Sequence, residues 1–207
     1  MPELSLEHWD AAADLLQKGG GVMYVLLLLS VSSLAIILLK LLQFWRVGAR
    51  RSGMMELIAT GSTHEIRRRM ALSRHPAARV VETALDTGHL PRELQEAEME
   101  RIGSVEIRAL ETYVRSLEVV ANLSPLIGLL GTVIGMIKAF GRLEEAGARV
   151  DPSQLAGGIW EALLTTAFGL IVAIPALGAV HYFERKIEGV RALMRDAAAR
   201  VVASQSV

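Results

Sequence analysis

The sequence contains no cysteine. That absence excludes disulfides, thiol catalysis and cysteine-based metal sites, and it leaves the redox compartment open. Neither sign of charge is in surplus, because 22 Lys and Arg balance 22 Asp and Glu. Neutralising a run of phosphates needs an excess of Lys and Arg on one surface, and the balanced charge argues against a general nucleic-acid binder. The five histidines, at positions 8, 64, 75, 89 and 181, never pair four residues apart, so no metal site is implied. There is also no P-loop, no nucleophile elbow and no Gly-rich dinucleotide fingerprint.

What is present is apolar sequence kept apart from charge: 52% of residues are hydrophobic and 21% charged, the pattern of a polytopic membrane protein. A helical crossing needs roughly 20 mostly apolar residues. Residues 22–45, 117–140 and 155–183 qualify, and the rest is too charged to cross. The chain therefore reads as an all-α membrane protein with three transmembrane helices, two of them extended as long cytoplasmic helices. Acidic Glu3, Glu7, Asp10 and Asp14 precede the first apolar run, and no small-residue cleavage pattern follows it. That run is expected to be a retained helix and not a signal peptide.

Lys and Arg are unevenly placed between the spans. Residues 1–21 hold one, 46–116 twelve, 141–154 two and 184–207 five. With three crossings the second and fourth segments share a side, and the positive-inside rule makes that side cytoplasmic. The expected order is a periplasmic N-terminal segment (1–21), span one (22–45), a cytoplasmic helical domain (46–116), span two (117–140), a short periplasmic loop (141–154), span three (155–183) and a cytoplasmic C-terminal helix (184–207). Leu6, Trp9, Ala13 and Leu16 sit at helical spacing and predict a short interfacial helix, with a disordered tail as the alternative.

Span one is Leu-rich and reads as lipid-facing; Lys40, about a turn from its basic end, is expected to snorkel to the interface. His75-Pro76 and Gly88-His89-Leu90-Pro91 divide the cytoplasmic stretch into helices. Arg67-Arg68-Arg69 reads as a solvated helix face, with contact to anionic lipid as the rarer outcome. From Arg92 no proline intervenes, and Leu94, Ile102, Val105, Ala109, Tyr113 and Leu117 recur at helical intervals, so one unbroken helix is expected to run into span two as a rod of roughly 70 Å. Ile187, Val190, Leu193, Ala197 and Val201 form a matching stripe beyond span three. Both stripes are expected to need partners in an oligomer.

Spans two and three each carry a face of small residues. In the second, Ala121, Ser124, Pro125, Gly128, Gly131, Gly135 and Ala139 share one arc beside Thr132; in the third, Gly158, Ala162, Thr165, Thr166, Gly169, Ala173 and Ala176 share another beside Glu161. Small residues four apart let transmembrane backbones approach closely. Pro175 leaves the Ile171 carbonyl without its helical donor, so a kink or a hydrated carbonyl is expected there. Two readings remain for these faces. They pack helices and nothing more, with the threonines bonded back to carbonyls one turn earlier, or they carry a polar path for protons or ions along Thr132, Glu161, Thr165 and Thr166. Glu161 favours the path, since a carboxylate within a span costs roughly 3 kcal/mol unless it faces protein, water or a counter-charge. A second titratable group has to come from another chain.

The segments from Ser124 to Met136 and from Gly158 to Ala176 resemble the ExbB/TolQ/MotA family of bacterial inner-membrane ion-driven motor proteins, and Lys18-Gly19-Gly20-Gly21 before the Leu-rich span adds a weaker likeness. Three crossings with a large loop after the first resemble the ExbB/TolQ branch, whereas flagellar members have four. The resemblance implies a proton-channel stator that uses no cofactor and makes no covalent bonds. It also implies a homopentamer in bacterial inner-membrane lipid, holding an ExbD/TolR-like single-span partner whose membrane aspartate supplies the second carboxylate, with a TonB/TolA-like protein beyond. Thr132 and Thr166 match the family's pore threonines and Glu161 its pore glutamate. Relatives often end the first span with Glu-Arg, where this sequence has Lys40-Leu41. The rival readings are a passive membrane scaffold, a stator for surface motility, and an intramembrane enzyme using Glu161; the last has no nucleophile, metal set or second acid to support it.

The orientation is directly testable because the chain has no native cysteine. Ala148→Cys should react with a membrane-impermeant thiol reagent applied from outside and Ser73→Cys should not; the opposite labelling overturns the charge argument.

Overall fold

The computed structural model describes residues 19–48, 61–146 and 152–205, and among them every regular element is a helix. They are α1 (Gly20–Gly48), α2 (Thr63–Ala71), α3 (Pro76–Asp86), α4 (Arg92–Glu111), α5 (Val114–Ala146) and α6 (Pro152–Gln205). Three helices, α1, α5 and α6, are long and apolar enough to cross a membrane. The interfacial helix expected before residue 19 lies outside the described residues. Helix α5 extends to Ala146 and α6 starts at Pro152, so helix reaches into the expected 141–154 loop from both ends. The chain divides into two compact units, residues 1–37 with 116–180 and residues 38–115 with 181–207.

The first unit contains the opening part of α1 and the apolar parts of α5 and α6. Gly20 starts α1 at a φ of +60°, a conformation only glycine adopts freely. Most of α1 presents exposed leucines, Leu28 and Leu39 among them, a surface suited to acyl chains and costly in water. Two of its three serines bond back to their own helix: Ser32 Oγ donates to the Leu28 carbonyl at 2.8 Å and Ser33 Oγ to the Ser30 carbonyl at 2.9 Å. Against this plain span, α5 and α6 pack small face to small face. A Cβ placed on Gly128 would lie 2.9 Å from the Thr165 carbonyl oxygen, one on Gly135 2.8 Å from Ala162 Cβ, one on Gly158 2.7 Å from Ala139 Cβ, and one on Gly169 2.6 Å from the Ser124 carbonyl oxygen. The contacts run in opposite order along the two helices, which are therefore antiparallel. Ala121, Ala139, Ala162, Ala173 and Ala176 complete the seam and are buried. Helix α6 continues through Pro175, which lies on its exposed side.

The second unit is built on α3. His75 caps it, its Nδ1 accepting from the Ala77 amide at 3.1 Å, and Pro76 takes the first helical position, where no amide is needed. Ala77, Ala78, Val80, Val81 and Ala84 are buried in the core. Helix α4 joins it through Gln95, whose Nε2 donates to the Ala84 carbonyl at 2.9 Å. The arginine run on α2 is exposed as expected, and Arg67 pairs with Asp86. The stripe Ile187, Val190, Leu193, Ala197 and Val201 on α6 is buried, and Phe183 stacks on Phe44 with ring centroids 5.6 Å apart. This stripe is covered by the chain itself; the expectation that it needed an oligomer is corrected.

Two further expectations in this unit are also corrected. The helix from Arg92 is not unbroken: α4 stops at Glu111 and α5 begins at Val114, with Tyr113 between them at a φ of +66°. The buried positions of α4 are Gln95, Met99, Ile107 and Leu110, while Leu94, Val105 and Tyr113 are exposed. The core selects its face by packing on α3, and the apolar count along the helix does not decide it. Lys40 does not snorkel. It is 3% exposed, and its Nζ donates to the Leu110 carbonyl at 2.8 Å and to Gln43 Oε1 at 2.9 Å.

The seam between α5 and α6 makes a graded prediction. A methyl on Gly131 would lie 2.5 Å from Thr165 Oγ1, so Gly131→Ala, and more so Gly135→Leu, should cost about 1–3 kcal/mol by overpacking. Gly178→Ala, with nothing within 4 Å of the added carbon, should cost nothing. Thermal unfolding of the purified variants, followed by helical circular dichroism, measures the difference.

Candidate functional site

Four polar side chains of α5 and α6 were singled out by sequence, and the structure treats them differently. Thr165 lies inside the seam, 3% exposed, its Oγ1 donating to the Ala162 carbonyl at 2.7 Å and lying 3.2 Å from the Gly128 carbonyl of α5. Its single hydroxyl proton faces a carbonyl of each helix, the nearer on its own, so the group is satisfied inside the seam, and hydrogen bonding of this kind in a membrane bundle contributes about 1 kcal/mol. The packing glycines Gly128, Gly131, Gly135 and Gly169 meet the opposite helix directly, and Ala173 is buried among them.

The other three make no side-chain hydrogen bond across the seam, although the Thr166 backbone lies against Gly128. Thr132 is half-buried, donates to the Leu129 carbonyl at 2.6 Å, and lines a shallow groove of about 610 Å³ along α5 with Met136, Phe140 and Glu144. Glu161 is half-buried, and its carboxylate has no hydrogen-bonding or ionic partner among the described residues. Thr166 differs from both: its Oγ1 is the only buried side-chain nitrogen or oxygen among the described residues without a hydrogen-bond partner. Helical threonines ordinarily bond back to a carbonyl one turn earlier, as Thr132 and Thr165 do. A buried hydroxyl left open in that setting is uncommon and calls for a ligand, a water or a second chain.

At about 100° per residue, Glu161 and Thr166 fall on the two borders of the packing arc of α6, and Thr132 borders that of α5. The small face is filled by the opposing helix; the unspent polar groups lie along its edges. No His, Asp or Glu cluster among the described residues forms a metal site.

The packing alternative anticipated the bond of Thr165 back to its own helix; its approach to the Gly128 carbonyl across the seam and the burial of Lys40 were not legible in the sequence. The first was signalled by the register of Gly128 and Gly131 against Ala162, which only pairing of the two spans reveals. The second had no local signal.

The model of the MotA/TolQ/ExbB proton channel family matches residues 72–196. An ExbB-like protein of Synechocystis is 31% identical over 180 residues, covering 84% of this chain and 71% of that protein. The ExbB homolog of Methanothermobacter thermautotrophicus is 32% identical over 133 residues, 64% of this chain and 47% of the relative, so the match spans about half of that longer protein. The Tol-Pal system protein TolQ of Haemophilus influenzae is 44% identical over 86 residues, 41% of this chain and 37% of TolQ. The matched region takes in α3, α4, α5 and the seam bordered by Thr132, Glu161 and Thr166, and this chain belongs to the MotA/TolQ/ExbB proton channel family, in its ExbB/TolQ branch.

Proposed function

We propose that this chain is the proton-channel stator subunit of an ion-driven motor in the bacterial inner membrane, coupling the proton gradient to work on a periplasmic or outer-membrane system. The observation that carries the reading is the buried, unpartnered hydroxyl of Thr166. Glu161 and Thr132, also left out of the seam, supply a titratable carboxylate and a second hydroxyl. Glu161 can hold a proton; threonine hydroxyls relay or coordinate one.

A path with one carboxylate is incomplete. In the proposed assembly, copies of this chain form a homopentamer whose second and third spans surround an ExbD/TolR-like single-span protein. The aspartate of that partner completes the path, and a TonB/TolA-like protein receives the work. The proposed orientation is N-terminus periplasmic and C-terminus cytoplasmic. The transported ion is the proton, and no cofactor or covalent step is involved.

A passive scaffold accounts for the glycine seam and for Thr165. It gives no role to a half-buried carboxylate or to an open buried hydroxyl, each of which a packing surface would do better without. A stator for surface motility uses the same core, and the identity of the energised system separates it from the main reading.

Two experiments follow. Thr132→Val, Thr166→Val and Glu161→Gln should each assemble like the native chain by native mass spectrometry and lose most of the energised transport or envelope function. Thr165→Val should instead lower thermal stability by about 1 kcal/mol. Full activity in the first three variants with intact oligomers returns the site to packing. Separately, proteoliposomes of this chain alone should leak few protons, and co-purified partner should be required for flux; strong Glu161-dependent conductance by the isolated chain removes the need for a second carboxylate.

A further inference from the structure

The break between α4 and α5 is an unusual place for a helix to stop. It contains neither glycine nor proline, and the residue at its centre, Tyr113, holds a φ of +66° with a bulky side chain that is 60% exposed. Bulky residues rarely adopt this left-handed conformation, because Cβ crowds the backbone. The exposed ring gains too little from burial to hold the backbone there, so the compensation lies elsewhere.

Thr112 only completes the last turn of α4, its amide and its Oγ1 both reaching the Arg108 carbonyl at 3.0 Å in the ordinary helical pattern. The compensation comes from α1. Lys40, from α1, places its buried ammonium on the Leu110 carbonyl at 2.8 Å. In a continuous helix that carbonyl would accept from the Val114 amide, four residues on. A cation at a helix C-terminus is favoured both by the free carbonyls and by the helix dipole. The ammonium in turn depends on the break: with 3% exposure, its acceptors are Leu110 and Gln43, and a buried ammonium deprived of its acceptor is strongly disfavoured. Phe44, one turn beyond Lys40, is stacked on Phe183, which fixes the end of α1 that presents the lysine.

We propose that Lys40 is a latch for a two-state joint: its ammonium caps α4 and holds residues 110–114 broken, and its withdrawal lets α4 and α5 anneal into one helix. The two states exchange one set of interactions for another. The broken form has the lysine bond and a strained Tyr113; the annealed form has regular backbone bonds and a relaxed Tyr113, and leaves the lysine stranded. Elements balanced in this way serve as switches, because a change at one side chain selects the state. The joint is a property of the α1, α4 and α5 contacts, and it holds whether or not the chain conducts protons.

The test uses the full-length chain in lipid nanodiscs, with amide hydrogen exchange read over residues 108–116. Lys40→Met, which keeps the length and removes the charge, should slow exchange at the amides of Tyr113, Val114 and Arg115 by about tenfold or more as they enter helical bonds. Unchanged or faster exchange there overturns the latch. Tyr113→Gly provides an independent arm that does not depend on the lysine variant folding. If residue 113 is left-handed in the ground state, glycine relieves the strain and raises the thermal unfolding midpoint; if that residue sits in a regular helix, glycine lowers it. An unchanged or lowered midpoint overturns the strained joint on which the latch rests.

Discussion

The close approach of α5 and α6 is the constraint on which the rest of the membrane-embedded unit depends. Water does not drive helices together inside a bilayer, so their association rests on dispersion contacts and on hydrogen bonds that bare backbone makes accessible. Five glycines, Gly128, Gly131, Gly135, Gly158 and Gly169, each lie where a methyl would collide with the opposing helix. The seam they form is tight, and it sets the rotation of both helices. Once that rotation is fixed, side chains within the packing arc serve the fold, and those just outside it are free for chemistry. Thr165 and Thr166 are adjacent in sequence and fall on opposite sides of this division: one joins the helices and the other keeps an open hydroxyl.

This division reconciles two readings that otherwise compete. A face of glycine, alanine and threonine fits packing and fits an ion path, and on spacing alone the two are indistinguishable. The structure assigns the centre of the face to packing, and the proposed path is confined to its borders, where Thr132, Glu161 and Thr166 remain. Polar groups kept at those borders fit a family described as proton channels.

Much of this was legible in the sequence. Apolar length identified three helices able to span a membrane, proline and the Gly88–Pro91 stretch placed the starts of α3 and α4, and the glycine spacing marked the seam. What escaped was non-local. The stop after Glu111 has no breaker residue, because a lysine 70 positions earlier compensates for it. The buried face of α4 is selected by α3, so the stripe of Leu94 and Val105, expected to need a partner, lies outside the core formed by Gln95, Met99, Ile107 and Leu110. Lys40 read as a snorkelling side chain because its partner carbonyl is invisible to any local pattern. The C-terminal stripe was located correctly and given the wrong partner, since periodicity reports that a face is covered and not by what.

The most direct test of the account is the wetness of α6 at single-residue resolution, on the assembled complex and in a chain that has no cysteine of its own. Single cysteines at Glu161, Ala162, Thr165 and Thr166 would be exposed to a small hydrophilic thiol reagent, and the extent of reaction measured by mass. The account predicts that Glu161→Cys and Thr166→Cys react and that Ala162→Cys and Thr165→Cys, inside the seam, do not. An unreactive Thr166→Cys beside a reactive Thr165→Cys would contradict it.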